Sequence, residues 1–206
     1  MILLEPRICV VFFNFNRSQI YFYKLYSIHM QIILLKDPDD KQLLEVKRIY
    51  EEAFPIHERR IFDMLPKMLN NVPGMELAIF NDAKLMVGFV VYWQWENWAY
   101  IEHLAVDRRL RAYGYGNRVM TLLMAMLKGT IVLEVEKPYD EVARKRITFY
   151  KKLGFHLAPF DYHQPSYVKG GEEIPMHLMT YPGEVDEPSF LEFARQIRQQ
   201  VYEYFY

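Results

Sequence analysis

The stretch Leu104-Ala105-Val106-Asp107-Arg108-Arg109-Leu110-Arg111-Ala112-Tyr113-Gly114-Tyr115-Gly116-Asn117-Arg118-Val119-Met120 decides the fold of this chain. It begins as the end of an apolar segment typical of a β-strand, and apolar residues then recur at helical spacing from Val119 onward. Gly114 and Gly116 lie between and remove the Cβ atoms that would keep a ligand off the main chain. The first amides of a helix lack intrahelical acceptors, and the helix dipole makes that end partially positive. The stretch therefore predicts a strand, a turn that binds phosphate or diphosphate, and a helix.

Four arginines flank this turn and add positive potential, namely Arg108, Arg109, Arg111 and Arg118. The turn matches neither of two common phosphate-binding patterns, because the dinucleotide fingerprint needs three glycines and the P-loop needs Gly-Lys-Ser/Thr. A tight strand-to-helix turn without any ligand therefore remains open as the alternative.

Two motifs resemble one known family, the GNAT superfamily of N-acetyltransferases. The pattern Arg111-x-x-Gly114-x-Gly116, after a strand ending in Ala-Val-Asp, resembles its acetyl-CoA-binding motif, although Ala112 stands where many members have a glycine. The segment 149–155, Phe-Tyr-Lys-Lys-Leu-Gly-Phe, resembles the family stretch Phe-Tyr-x-x-x-Gly-Phe. One departure is the segment 137–139, Lys-Pro-Tyr, where many members carry an asparagine that contacts the cofactor.

The resemblance implies an α/β protein of the α+β type. It implies the GNAT fold, a mixed and mostly antiparallel sheet flanked by helices, with a V-shaped splay between the two central parallel strands. Acetyl-CoA, the co-substrate, would bind in that opening, and the main-chain groups of Leu104 and Val106 would pair with its pantetheine amides. The implied cofactor-binding residues are Leu104, Ala105, Val106, Arg111, Ala112, Tyr113, Gly114, Tyr115 and Gly116.

Two residues are the catalytic candidates, Glu102 and Tyr150. Strand alternation places Glu102 on one face with Trp98, Tyr100, Leu104 and Val106. A carboxylate among apolar neighbours accepts a proton more readily, which suits a general base, and the resemblance implies that Glu102 deprotonates the acceptor amine directly or through water. The alternative is a half-exposed or structural carboxylate.

Tyr150 matches the family tyrosine that protonates the leaving thiolate. A phenol has a pKa near ~10, close to that of an alkyl thiol, so the two groups are well matched for proton transfer. A core tyrosine with a satisfied hydroxyl is the alternative.

The sequence patterns that would mark the binding site of the acceptor amine are less specific than those for the coenzyme. Residues 54–60 resemble the variable wall of the acceptor pocket, which makes Phe54, His57 and Arg60 candidate lining residues. The polar segment 162–171 is either a lid carrying Tyr162, His163 and Tyr167 or a plain surface loop. If Glu134 and Glu136 face the cleft, they favour a cationic amine as acceptor.

The chain divides into an N-terminal extension (1–29) that is not necessarily part of the domain, a GNAT domain (30–182) and a C-terminal helix (183–206). That helix packs either back on the domain or against a second subunit, which leaves a homodimer open. The 206 residues carry 25 basic and 26 acidic side chains, so no field for nucleic acid or a membrane surface is expected. The single cysteine, Cys9, excludes an intrachain disulfide and a zinc cluster built from thiolates, and we expect no metal cofactor. A single cysteine also favours a location in the reducing cytoplasm.

We therefore expect an acetyl-CoA-dependent N-acetyltransferase that transfers the acetyl group directly to a primary amine of a small molecule or peptide. The alternatives are a non-catalytic acyl-CoA sensor with the same fold, slightly favoured by the missing asparagine, and a purely structural or interaction protein that binds no coenzyme A.

Overall fold

A computed structural model describes residues 30–205, so the predicted N-terminal extension lies outside the described residues. The strands are β1 (Met30–Leu35), β2 (Met75–Asp82), β3 (Leu85–Gln94), β4 (Trp98–Val106), β5 (Thr130–Glu136), β6 (His156–Leu157), β7 (Tyr162–Gln164) and β8 (Ile174–Tyr181). The helices are α1 (Leu43–Ala53), α2 (Met64–Met68), α3 (Tyr115–Met126), α4 (Glu141–Lys152) and α5 (Glu187–Gln196).

Within residues 30–205 these eight strands form one mixed sheet with the order β1-β2-β3-β4-β5-β8-β6, and β7 pairs with β8. Only β4 and β5 run parallel; the other neighbours are antiparallel. The parallel ladder ends at the pair Ile101–Leu133, although β4 continues to Val106 and β5 to Glu136. The two central strands therefore diverge beyond that pair, and the predicted fold class is confirmed.

A β-bulge lies in β4 at the point where this divergence begins. Val91 of β3 pairs with His103 and Tyr92 pairs with Ile101, so Glu102 is the extra residue. The bulge reverses the side-chain alternation beyond it: Tyr100 and Ala105 lie in one core, whereas Leu104 and Val106 pack on the other. The prediction that Leu104 and Val106 share a face with Tyr100 and Glu102 was therefore wrong.

The sheet separates two hydrophobic cores. The first core lies under α1, α2 and α5, and the second lies under α3 and α4. In α1 the residues at helical spacing are buried, namely Leu43, Val46, Ile49 and Tyr50. In β5, Val132 faces the first core and Ile131, Leu133 and Val135 face the second, as the alternation predicts.

Ile61, Met64, Leu65 and Met68 recur at helical spacing, which predicts a helix over 58–70 with these residues inward and a kink or early stop at Pro66, but the observed helix is much shorter. Instead of one helix from 58 to 70, the chain forms a 3-10 turn, Ile56–Glu58, and then α2 from Met64. Pro66 lies in the first turn of α2, where its missing N–H would have had no intrahelical acceptor. Ile61 was expected to point inward but is 73% exposed, and Phe62 is buried in its place.

The C-terminal segment packs back on the domain. Helix α5 continues into a π-helical turn, Ile197–Tyr202, and the buried Phe190, Ile197, Val201 and Tyr202 join the first core. Within residues 30–205, no helix combines the length and apolar character that crossing a bilayer requires.

Candidate functional site

The edge of β4 that faces β5 carries main-chain groups that do not pair with β5 beyond Ile101, within residues 30–205. The amide of Asp107 donates to the carbonyl of Val87 on β3, at 2.9 Å. Because alternate residues of an antiparallel strand bond to the same neighbour, Ala105 also faces β3, whereas Leu104 and Val106 point their N–H and C=O groups into the opening. The structure thus places Leu104 and Val106 where coenzyme amides could pair with them. Ala105 differs, since its side chain is buried in the first core.

The predicted anion turn is a main-chain cradle. Ala112 and Gly114 both have left-handed backbone conformations, with φ of +69° and +78°, immediately before α3 begins. Gly114 is the N-cap and has no side chain, so the N-cap provides no side-chain acceptor to the first amides of α3. A Cβ at Gly114 would meet no atom within 4 Å, and one at Gly116 would meet the Phe149 ring at 3.7 Å. The turn therefore leaves space above its amides for a phosphate group.

Asp107 anchors the start of this turn. Its side chain is 0% exposed and accepts a hydrogen bond from the amide of Arg109, at 2.8 Å, and others from the guanidinium groups of Arg109 and Arg48. Burial opposes ionisation of Asp107, but the bonds from Arg109 and Arg48 outweigh it and lower its pKa to about 2. Asp107 thereby fixes the 3-10 turn Arg108–Leu110 that leads into the cradle.

The flanking arginines are not equivalent. Arg118 pairs with Asp82 at 3.1 Å, and Arg108 lies 3.7 Å from Glu52. Arg111 is exposed and makes no ion pair within residues 30–205. Among the four, Arg111 therefore has the charge most available to a phosphate.

Asp107→Asn should reduce stability in a pH-dependent way. The folded-state pKa of Asp107 lies below its ordinary 3.8, so its ionised form contributes stability above pH 4 that is lost as the pH falls toward 2. We expect the difference in unfolding free energy between wild type and Asp107→Asn to shrink across that range, in urea titrations at several pH values. A difference that stays constant between pH 6 and pH 2.5 would contradict the assigned role.

Glu102 is held in a buried ion pair. Its Oε1 accepts from Nε of Arg60 at 3.0 Å and its Oε2 from Nε1 of Trp93 at 2.7 Å. The Glu102 side chain is 0% exposed and that of Arg60 is 5% exposed. Arg60 also donates to the carbonyl of Val201 and lies 4.9 Å from the ring centroid of Tyr167. The half-exposed carboxylate considered from the sequence is therefore excluded; the role of Glu102 as a base stays a prediction.

A second carboxylate, Glu134, lies at the corresponding position of β5. Its Oε2 accepts from Nε2 of Gln164 at 2.8 Å and from the hydroxyl of Tyr202 at 3.0 Å, and its Oε1 accepts from the hydroxyl of Tyr162. The hydroxyl of Tyr202 also lies 3.3 Å from that of Tyr100. Burial raises the pKa of Glu134 to about 7, even though these hydroxyls act in the opposite direction. Glu136 does not join this group, because it pairs with Arg146 of α4.

The two carboxylates belong to one place in the fold. Glu102 and Glu134 are the first residues of β4 and β5 beyond the last paired residues, Ile101 and Leu133. The negative charge of Glu102 contributes to the raised pKa of Glu134, so the two carboxylates interact electrostatically. We call this pair and its hydrogen-bond partners the apex cluster: Arg60, Trp93, Glu102, Glu134, Tyr162, Gln164 and Tyr202.

Tyr150 lies on the other side of the sheet, in α4. Its ring packs against Phe149 and Phe155, with centroid distances of 5.2 and 5.6 Å. Burial raises the pKa of Tyr150 to about 12, so the phenol remains protonated at neutral pH and can act as a donor. Its role as an acid stays a prediction.

Other predicted residues divide between the interior and the surface. Tyr162 and Tyr167 point inward, and Tyr167 packs on Tyr202 at 4.8 Å, whereas His163 and His57 are exposed. Phe54 packs on His103, with ring centroids 4.6 Å apart. The described residues 30–205 contain no group of three or more side chains that could hold a metal ion. Gln164 and Tyr202 were missed, because no local pattern links them to Glu134.

Comparison with known proteins places this geometry in a family. The model of the acetyltransferase (GNAT) family matches residues 43–155, which is more than half of the chain. A solved structure from Bacteroides thetaiotaomicron, of a protein assigned to the GNAT family as an acetyltransferase, is 32% identical; the match covers 84% of this chain and 98% of that one, with a TM-score of 0.79. Comparison with curated protein sequences gives no match.

Two more distant structures share the fold. The ribosomal-protein-S18-alanine N-acetyltransferase from Escherichia coli is 20% identical over 76% of this chain and 96% of its own, with a TM-score of 0.55. A protein from Salmonella typhimurium, assigned as an acetyltransferase and solved with its cofactor acetyl-CoA, is 16% identical over 77% and 97%, with a TM-score of 0.53. On the family match and the 32% identical structure, the chain belongs to the GNAT family of acetyltransferases.

Proposed function

We propose that the protein is an acetyl-CoA-dependent N-acetyltransferase that transfers the acetyl group directly to a primary amine. The observation that carries this proposal is the opening between β4 and β5. It is bordered by the uncapped start of α3, the main-chain edge at Leu104 and Val106 that does not pair with β5, and the two carboxylates of the apex cluster. A diphosphate, an amide-containing arm and a reacting amine would find complementary groups in that order.

The coenzyme side of the proposal rests on main-chain groups. The amides from Arg111 to Gly116 would hold the diphosphate, assisted by the helix dipole and the charge of Arg111. The N–H and C=O groups of Leu104 and Val106 would pair with the amides of the pantetheine arm, as an added strand does. The residues fit this group, because Gly114 and Gly116 leave the space above these amides open.

Two kinds of proton transfer complete the reaction. Acetyl-CoA supplies the acetyl group as a thioester. A carboxylate of the apex cluster, predicted from the sequence to be Glu102, takes a proton from the amine directly or through water. Tyr150 donates a proton to the departing thiolate, as the C–N bond forms and the C–S bond breaks. We propose direct transfer without a thiol intermediate, since the single cysteine, Cys9, lies outside the segment 43–155 that matches the family.

A cationic amine is the proposed acceptor class. Glu102 and Glu134 place two carboxyl groups at the apex, and the negative potential of an ionised carboxylate would attract an ammonium group on a small molecule or a peptide. We propose no nucleic-acid or membrane partner and place the reaction in the cytoplasm, in keeping with a balanced charge and a single cysteine.

Tyr150→Phe should lower kcat about 10- to 100-fold and leave coenzyme A affinity unchanged, because only the proton donor is removed. The measurement is thiol release from acetyl-CoA over a panel of primary amines, together with calorimetric titration of coenzyme A. Tyr181→Phe is a matched control, since Tyr181 packs on the same Phe155 ring at 5.5 Å. Equal kcat in wild type and Tyr150→Phe would contradict the assigned role.

A non-catalytic acyl-CoA sensor is the second candidate function. It is favoured by the segment Lys137-Pro138-Tyr139, which stands where many family members have a cofactor-contacting asparagine. The same assay separates the two functions, because a sensor binds coenzyme A but releases no thiol with any amine of the panel.

A further inference from the structure

We propose that Glu134, rather than Glu102, takes the proton from the acceptor amine, and that Tyr202 positions it for this role. The inference rests on the proposed function and assigns a step within it. Both carboxylates lie at the first position beyond the pairing of β4 with β5, so their place in the fold does not distinguish them. The hydrogen-bond partners of the two carboxylates do distinguish them.

The hydrogen-bond partners of Glu102, Arg60 and Trp93, can only donate; Nδ1 of His103, 3.7 Å from Oε1, lies beyond hydrogen-bond distance. The guanidinium of Arg60 and the indole of Trp93 have N–H groups and no acceptor lone pair. A proton on Oε1 or Oε2 of Glu102 would compete with one of these donated hydrogen bonds and would remove the negative charge that Arg60 faces. The partners of Glu102 therefore suit it to holding Arg60 in place rather than to accepting a proton.

Two of the three hydrogen-bond partners of Glu134 can reverse their roles, whereas the third, Nε2 of Gln164, only donates, to Oε2. The hydroxyl groups of Tyr162 and Tyr202 donate to the carboxylate, but a hydroxyl also accepts. When Glu134 is protonated, it can donate to one of these hydroxyls after a rotation of the O–H bond alone. Tyr202 has a further neighbour in the hydroxyl of Tyr100, at 3.3 Å, which allows the donors to reorient along the row. Glu134 can thus gain and lose a proton without leaving a charge unpaired.

The charges around Glu134 support the same assignment. Four tyrosine hydroxyls surround Glu134: those of Tyr100 in β4, Tyr162 in β7, Tyr202 in the C-terminal turn and, more remotely, Tyr167 in the loop after β7. Burial raises the pKa of each hydroxyl well above the ordinary value, so all four stay neutral at pH 7. The charged neighbours are Glu102 and its partner Arg60, and Arg198, whose charge acts on Tyr162. His103 lies beside Glu102, and burial lowers the pKa of His103, which keeps that imidazole neutral at pH 7. Burial, followed by the charge of Glu102, brings the pKa of Glu134 to about 7, which is suited to exchange at neutral pH.

The groups that position Glu134 belong to this chain's own C-terminal part. Tyr162, Gln164 and Tyr202 all lie beyond residue 155, where the match to the family model ends. Tyr202 is held by the buried π-helical turn and by the Tyr167 ring. In the proposed step, an acceptor that arrives as an ammonium ion gives one proton to Glu134, which later releases it to solvent. The remaining amine attacks the thioester carbonyl, so that the C–N bond forms and the C–S bond breaks. Tyr150 gives its proton to the departing thiolate, and the second proton of the amine returns to Tyr150 directly or through water.

The pH dependence of kcat/KM tests this inference. In the wild type, kcat/KM should fall as the pH drops below about 7, which gives the profile an acid limb. Glu134→Gln should lose this limb, and its kcat/KM should be about 10²- to 10⁴-fold lower than that of the wild type. Tyr202→Phe should move the limb upward by roughly half a pH unit, because a hydroxyl that stabilises the ionised form is lost. Glu102→Gln should move it downward, because a like charge is removed. Tyr204→Phe, on the exposed side of the same segment, should leave the limb unchanged.

A readout without turnover uses ¹³C-labelled glutamate in the whole protein. One carboxyl resonance should titrate between pH 6 and 8 and disappear in Glu134→Gln. An acid limb that persists in Glu134→Gln, or the absence of a carboxyl that titrates in this range, overturns the inference and leaves the proposed function intact. If wild type turns over no amine, the proposed function fails and this assignment fails with it.

Discussion

Gly116→Leu should weaken coenzyme A binding by about 100-fold or more. Its side chain would begin 3.7 Å from the Phe149 ring and cover the amides that open α3. A hydrogen bond to a charged group contributes about 1.5 to 3 kcal/mol, so the loss of two such bonds to a phosphate corresponds to at least a hundredfold change. Isothermal titration calorimetry with coenzyme A measures the effect.

The fold should survive this change, which makes the experiment decisive. Gly116 lies in the first turn of α3, where a leucine loses less backbone conformational entropy on folding than a glycine does. Without coenzyme A, Gly116→Leu should therefore be at least as stable as the wild type. Ala125→Leu is the matched control, because it adds a leucine at an exposed position of the same helix. Unchanged affinity in Gly116→Leu would remove the diphosphate from this turn and, with it, the basis of the proposed function.

Arg60→Met should lower the free energy of unfolding by about 3 to 5 kcal/mol, because it leaves Glu102 as a buried charge without its guanidinium partner and with only the neutral indole of Trp93 donating to it. It also removes the bond from Arg60 to Val201, which ties the C-terminal turn to the sheet. Urea denaturation followed by circular dichroism measures the loss. The double variant Arg60→Met/Glu102→Gln should recover part of it, since the unpaired charge is gone.

Arg59→Met provides the control for this result. Arg59 is only half-buried and donates one hydrogen bond, to the carbonyl of Phe54 at 3.0 Å, so we expect a loss of about 1 kcal/mol. A loss below about 1 kcal/mol in Arg60→Met, or a double variant no more stable than Arg60→Met, would show that the ion pair does not stabilise the apex.

The turn and its flanking elements could be predicted because their causes are local. Gly114 and the bulky apolar residues at helical spacing after it define the start of α3, and the alternation of β5 correctly separates Val132 from Ile131 and Leu133. Gly154 follows α4 with a positive φ of 91°, as a glycine at a helix end predicts. These features depend on neighbours within a few residues.

The bulge and the apex cluster depend on residues far apart in the chain. Nothing in the period-two pattern of β4 reveals the extra residue, because the mismatch exists only against β3. Arg60 and Glu102 are 42 residues apart, and Glu134 and Tyr202 are 68 apart. The strand patterns identify Glu102 and Glu134 as candidates. Their hydrogen-bond partners could not be predicted, because these lie on elements whose packing the sequence does not reveal.

The two cores have a practical consequence for redesign. Among residues 30–205 no buried side chain belongs to both cores, so we expect the free-energy effects of core substitutions on opposite sides of the sheet to be additive. Under the proposed function, we expect that the surface under α1, α2 and α5 can be redesigned for a different amine while α3 and α4 are kept as they are. The sheet thus separates two groups of core residues, and we expect that each group can be redesigned without changing the other.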